Sequence, residues 1–325
     1  MRKIAVFFWI FLSGSLAGGV RAAEFELNGR VLRSDGKPFT NVVPQLFLRG
    51  STFPYSAQAQ AGLDGRFKFK KLAAGPYTLS AAVPRTGEKQ LTIDIGPSHA
   101  DSKGRVTVTL TFPSEPAERH DPTVSAAALS VPEKAQQEYF KAERFLGKKD
   151  VERAKACLHK AVEIAPQFAA AWNSLGVIAY QSRDFPLAEK HFREALRQDP
   201  EEYSPLVNLG GALLSQGKDK DSLPINLQAV KARPGDALAQ SQLGQSYFFL
   251  GRIEDAEKHL KQAKALDPGH FSHPQLILAR IYAQRNDLEG LIAEWTEFLR
   301  LHPDDAQAPG IRQALEKARA LKAGR

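Results

Sequence analysis

Five prolines, Pro166, Pro200, Pro234, Pro268 and Pro303, recur along the second half of the 325-residue chain at intervals of 34, 34, 34 and 35 residues. A fixed period of this length requires one supersecondary unit to be repeated and stacked, each copy burying its apolar face on the next. The unit is readable over residues 169–200. Trp172, Leu175, Gly176 and Ala179 fall on one helical face, a polar break follows at residues 181–184, and Ala188, Phe192 and Ala195 form the stripe of a second helix. Pro186 stands just inside that second helix, where its missing N–H costs little. Pro200 ends it, because the residue before a proline avoids the helical region. The spacing predicts a helix–turn–helix unit, with Gly176 and Ala188 small where its two helices meet.

Trp172, the Leu175-Gly176 pair, Ala188, Phe192, Ala195 and Pro200 resemble the signature of the tetratricopeptide repeat family. The unit from Ala237 carries Leu243, Gly244, Tyr247, Ala256, Leu260, Ala263 and Pro268. The unit from Tyr203 keeps Leu209, Gly210, Leu213, Ala229 and Pro234, but places Ser222 and Asn226 where the family has Ala and an aromatic or Leu. The unit from Ala135 keeps Ala142, Phe145, Ala154, Leu158, Ala161 and Pro166 without the Trp and Leu-Gly residues. A degenerate unit from Ser272 keeps Ala279, Tyr282 and Trp295 and has Leu291 for the small residue. Ile311, Leu315 and Ala318 mark a polar capping helix. The resemblance covers residues 133–322 and implies an all-α solenoid of about five repeats plus a cap. Aromatic residues at the family positions are expected to fill its core.

The family's first helices line a concave groove that holds a peptide or a partner's helix. Carried over position by position, the groove is expected to comprise Tyr139 and Glu143, then Asn173, Val177 and Tyr180, then Val207 and Leu214, then Ser241, Gln245 and Phe248, and finally Arg280. Some members clamp a C-terminal carboxylate with Lys, Arg and Asn. Here Asn173 and Asn208 are in place, but Leu238 and Gln242 stand where cations are needed, so an apolar peptide or helix is the expected occupant.

The period changes to two over residues 24–112. Phe67 and Phe69 alternate with Lys68 and Lys70; Leu91, Ile93 and Ile95 with Thr92 and Asp94; Val106, Val108, Leu110 and Phe112 with threonines. Turn signals at Asp35-Gly36, Asp64-Gly65, Gly75-Pro76 and Thr86-Gly87 separate about seven short strands. The pattern predicts an antiparallel β-sandwich over residues 23–112. Gly29-Arg30-Val31, Asp35-Gly36-Lys37-Pro38, Asp64-Gly65-Arg66-Phe67 and Gly75 with Tyr77 resemble the carboxypeptidase regulatory-like module, related in fold to transthyretin and to starch-binding sandwiches. Residues 113–132, with Pro113, Pro116, Pro122 and Pro132, read as a stiffened linker.

Arg2 and Lys3, an apolar run over residues 4–12 and small residues to Ala22 read as a secretory signal over residues 1–22. The expected location is therefore exported, periplasmic or secreted, or membrane-anchored if the signal is kept. The formal charge is +8, of which Arg2, Lys3 and Arg21 supply three, leaving a modest +5. Basic and acidic residues are interleaved along the repeats, so nucleic acid is not expected. Arg66, Lys68, Lys70 and Lys71 cluster on one hairpin, either as a solvated edge-guarding face or as a patch for acidic polysaccharide or phospholipid. The lone Cys157 forms no intrachain disulfide and reads as a small buried residue.

No His-Glu-x-x-His, Cys-x-x-Cys, Gly-x-Ser-x-Gly or phosphate-binding glycine loop occurs. His270 and His273 read as part of a surface turn, and His159, His191 and His259 as residues of polar helix faces. No cofactor, metal or catalytic residue is expected. The sequence points to a non-enzymatic scaffold holding a protein partner in the repeat groove. Alternatives are carbohydrate binding by the sandwich, for which Phe53, Tyr55 and Tyr77 are the candidate aromatics, and a self-associating structural envelope protein.

Overall fold

A computed structural model describes residues 24–84, 86–113 and 130–323. The signal-like residues 1–22 and most of the proline-rich segment lie outside the described residues. Seven strands come first: β1 (Phe25–Arg33), β2 (Gln45–Gly50), β3 (Ser56–Gln60), β4 (Arg66–Leu72), β5 (Gly75–Val83), β6 (Gly87–Ile95) and β7 (Arg105–Phe112). They form two packed sheets, ordered β4-β1-β7 and β3-β2-β5-β6. The pairing is antiparallel as expected, except that β1 and β7 run parallel, Leu27 opposite Val106 and Val31 opposite Leu110. These are the first and last strands. No hairpin joins them, so nothing forces them to reverse. The alternating positions read from the sequence make the core: Leu27, Val31, Phe67, Phe69, Tyr77, Leu79, Val106 and Leu110 are buried.

Eleven helices follow among the described residues: α1 (Glu133–Gly147), α2 (Val151–Ile164), α3 (Ala169–Gln181), α4 (Phe185–Gln198), α5 (Tyr203–Ser215), α6 (Asp219–Ala232), α7 (Ala237–Phe249), α8 (Ile253–Leu266), α9 (Pro274–Gln284), α10 (Leu288–Leu301) and α11 (Ala308–Ala323). They pair as five helical hairpins and a cap. The period is written into the backbone. Lys149, Arg183, Gly217, Gly251 and Asn286, one per hairpin, all turn with positive φ, from 56° to 77°. The left-handed step reverses the chain between the two helices, and only two of the five residues are glycine. Asp150, Asp184 and Asp287 then cap the second helix by accepting from the backbone N–H three residues on. A side-chain donor on the first helix closes three of the junctions: Trp172, Gln240 and Gln275 donate to the carbonyls of Pro166, Pro234 and Pro268.

Close approach within a hairpin depends on the small residue. A Cβ on Gly176 would lie 2.4 Å from the ring of Phe192, which is 1 % exposed. The third hairpin solves the same problem with polar groups. Ser222 and Asn226 are fully buried, and both bond to Ser246 Oγ, at 2.8 and 2.9 Å. Asn226 fits because Gly210 has no Cβ; one there would overlap its side-chain oxygen. Of the three helix histidines expected on polar surface faces, His159 is exposed as expected and the other two are not. His191 is buried and stacks on Trp172 with centroids 5.6 Å apart, and half-buried His259 stacks on Tyr247 and pairs with Gln240. Cys157 is buried, and desolvation followed by Glu138 pushes its thiol pKa up.

Candidate functional site: a cleft between the sandwich and the repeats

The sandwich does not hang free of the solenoid. At one end, Ser56 of β3 donates to the Glu143 carboxylate of α1 at 2.5 Å, and Gln181 of α3 donates to the Gly50 carbonyl at 3.1 Å. At the other end, the Thr92 backbone N–H donates to Asp267 at 3.1 Å, and Ser98 donates to Asp304 through its backbone and its hydroxyl. Asp94 of β6 pairs with His302 at 2.6 Å. The solenoid contributes groove residues at the first end and inter-repeat loops at the second. Among the described residues no buried apolar cluster contains side chains of both domains. The contact is polar, as between domains that dock without sharing a core.

Docking roofs one end of the concave face and leaves a cavity of about 220 Å³. Its solenoid wall carries Tyr139, Glu143, Asn173, Ser174, Val177, Ile178, Gln181 and Glu202; its roof carries Arg49, Gly50, Pro54, Tyr55 and Ser56. A second cavity of about 530 Å³ lies across the Ser56–Glu143 contact, between β3 and the Phe140, Arg144 and Gly147 positions of α1. The lining mixes charges with apolar surface. Burial, and then the Glu143 carboxylate, raise the Tyr139 pKa, which keeps the phenol a neutral donor. Asn173 accepts from Asn208 at 3.0 Å, extending an amide row to the third repeat. The Gln181 side-chain oxygen is buried without a hydrogen-bond partner.

Of the groove positions carried over from the sequence, Tyr139, Glu143, Asn173 and Val177 meet in this cleft. Tyr180 lies one turn further, its hydroxyl 3.0 Å from Ser215 and its ring against Phe185. Leu214 and Gln245 are half-buried, and Gln245 donates to Ser241. Val207, Ser241 and Phe248 are buried in the solenoid, and exposed Arg280 lies over the Phe248 ring at 5.0 Å. The sandwich residues Arg49, Gly50, Tyr55 and Ser56 were not among the expected site residues. Their only signal is local: a strand end followed by Pro54 and a new strand. The aromatics considered for sugar stacking offer no flat exposed platform. Tyr77 and Tyr55 are buried, and Phe53 packs edge-on against Tyr77.

The second contact gathers titratable groups. His273 lies 4.4 Å from His302 between ring centroids and 3.9 Å from Asp305, and His270 is buried beside them. The expectation of a surface turn fails here because the docked sandwich and α10 pack against this loop. Among the described residues no group of His, Cys, Asp or Glu has the geometry to hold a metal ion, and no helix is long and apolar enough to cross a membrane.

The helical hairpins, their left-handed turns and the concave face define a tetratricopeptide-repeat solenoid following a two-sheet β region. Tetratricopeptide repeat models match residues 141–203, 178–237 and 237–270. The chain is 28% identical over 102 residues to the Protein STIP1 homolog of Dictyostelium discoideum, covering 31% of this chain and 18% of that protein. It is 27% identical over 122 residues to the human Cell division cycle protein 16 homolog, covering 35% and 20%. The matches thus span about a fifth of the length of these relatives. Among solved structures, MamA (residues 41 to the end) from Desulfovibrio magneticus RS-1 has a TM-score of 0.48 at 21% identity, covering 55% of this chain and 99% of that one. YrrB, described as a tetratricopeptide-repeat protein with an unusual peptide-binding site, has 0.46 at 23%, covering 58% and 98%.

Proposed function

We propose that this protein is a non-enzymatic adaptor that holds a segment of a protein partner in the cleft between the sandwich and the first two repeats. The observation that carries this reading is the roofed cavity itself. Solenoid residues at family groove positions face a second wall from another domain, and Gln181 bonds across to that wall. The lining modifies the expected occupant. Arg49, Glu143 and Glu202 stand around Tyr139 and Val177, so the segment should carry polar or charged groups beside an apolar one. The sandwich, with its likeness to the carboxypeptidase regulatory-like module, acts in this reading as the second wall of the site.

The test is affinity for a captured partner. Asn173→Arg fills the solenoid wall, and Arg49→Glu inverts the charge of the roof. Each should weaken the same complex by roughly tenfold or more, the scale of a lost interfacial anchor. Unchanged binding by both variants would remove the cleft from the account. The composition of residues 1–22 further supports export. An envelope or culture-fluid fraction containing a chain that begins near residue 23 is the expected result; full-length chain confined to the cytosol would contradict it.

A further inference from the structure

The outer face of the β4-β1-β7 sheet has no part in the cleft. Arg66, Lys68 and Lys70 on β4 are exposed and alternate with buried Phe67 and Phe69. Across the sheet, Arg30 stands opposite Arg66 on one side and Thr109 on the other, and Asn28 stands between Lys68 and Thr107. Arg105 pairs in register with Glu26 at the end of the face. Glu26 is a single acid serving several cations: it bonds Lys68 at 2.9 Å, and Lys68, Lys70 and Arg105 together hold its pKa below the usual range. Arg66 and Arg105 pair with Asp64 and Asp101, both in turns at the ends of strands. Arg30, Lys70 and Lys71 have no ion-pair partner among the described residues.

Two features go beyond a solvated edge. Like charges directly opposite each other destabilise a strand pair, yet Arg30 and Arg66 are in register with no acid between them. The β1–β4 register also shifts near Phe25 and Leu27, where Lys71 adopts a left-handed φ of 58°. This bulge leaves both Lys70 and Lys71 exposed; bulges commonly re-aim side chains in this way. Edge-guarding lysines would explain β4. They do not explain an unpaired arginine on the central strand, or a strained backbone kept by lysine where glycine would relax it.

We propose that this face binds a linear, carboxylate-bearing polysaccharide. Same-face residues on a strand are about 7 Å apart and strands about 4.8 Å apart, so Arg66 to Lys70 forms a row the length of a few linked sugar rings. Cations along that row meet carboxylates, while Asn28, Thr107 and Thr109 offer amide and hydroxyl groups to the sugar hydroxyls. A membrane surface fits less well, because the exposed strand positions of this face are cations and threonines, and its apolar Leu32 is half-buried. A single-stranded nucleic acid would need aromatic platforms, and this face has none.

The test is calorimetric titration of the full chain with polygalacturonate at about 50 mM salt, where screening is weak. Dextran, phosphatidylcholine–phosphatidylglycerol vesicles and duplex DNA serve as alternative probes. Polygalacturonate is expected to bind, with affinity falling as salt rises, and dextran is not. Arg66→Gln/Lys68→Gln/Lys70→Gln should weaken binding at least tenfold, and Arg30→Gln severalfold. Lys220→Gln/Lys231→Gln on the exposed solenoid should leave binding unchanged. All the substituted side chains are exposed, so melting temperatures should hold; if the triple variant fails to fold, Arg30→Gln decides alone. Absence of polygalacturonate binding, equal losses in the solenoid control, or tighter binding to vesicles or DNA would overturn the proposal.

Discussion

Phe192→Ala is expected to destabilise the protein by about 3–5 kcal/mol, the usual cost of truncating a buried aromatic without collapse of the space it leaves. Collapse is blocked here by geometry. The ring fills the gap left by Gly176, which has no side chain to move into the hole. It also touches the cluster of Ala179, Ala188, Leu209, Ala212 and Leu213, so the void would open at the seam between the second and third repeats. Repeat arrays derive stability from such seams, so the loss should appear as reduced cooperativity as well as a lower midpoint. Denaturant unfolding followed by helix signal checks this. A loss below about 1 kcal/mol, the scale of ordinary surface changes, would mean that the helices close on each other without the ring.

Acidification between pH 6.5 and 4.5 is expected to weaken the folded state, with the C-terminal corner contributing most. Burial lowers the pKa of His270 from 6.5 to about 3, with His273 and His302 adding repulsion. Burial and then His302 also lower His273, opposed by Asp305 and Asp94. His191 and His259 are lowered mainly by burial. A base whose folded pKa is depressed binds its proton more readily when unfolded. Its stabilisation is therefore complete above 6.5 and is lost as pH falls through the window. Asp267, raised by burial, and Glu294, raised by burial, change in the opposite sense and offset part of the loss. Carboxylates held low by their partners, such as Glu189, which against the cost of burial is brought to about 2 by Lys218, Gln216 and Arg193, add to the loss from pH 4.5 downward. The melting temperature should therefore fall from pH 7 to pH 5. His270→Asn keeps an acceptor for the Ser272 N–H and removes the titration, so it should flatten the slope. A wild-type slope of zero would contradict the assignment.

The period made most of the solenoid legible. Gly176, Ala188 and Phe192 could be placed because a 34-residue spacing fixes which face each residue occupies. Ser222 and Asn226 were visible as departures, but their fit depends on Ser246 and on the missing Cβ of Gly210, which no local pattern encodes. The sandwich strands were legible from alternation, whereas the parallel β1–β7 pair was not, because alternation carries no direction. The site was the least legible. Helical periodicity put Asn173 and Phe248 on equivalent faces, yet Asn173 lines a cleft and Phe248 is buried. The contacts that decide the difference, Gln181 with Gly50 and His302 with Asp94, join residues more than 130 positions apart.

The most direct test places a photo-crosslinking residue at Asn173 on the solenoid wall, at Arg49 on the sandwich roof, and at exposed Arg193 on α4 as a control, each in the full chain. Positions 173 and 49 are expected to capture the same partner polypeptide, and position 193 is not. Capture from position 193 alone, or from position 173 without position 49, would contradict a binding site built jointly by the two domains.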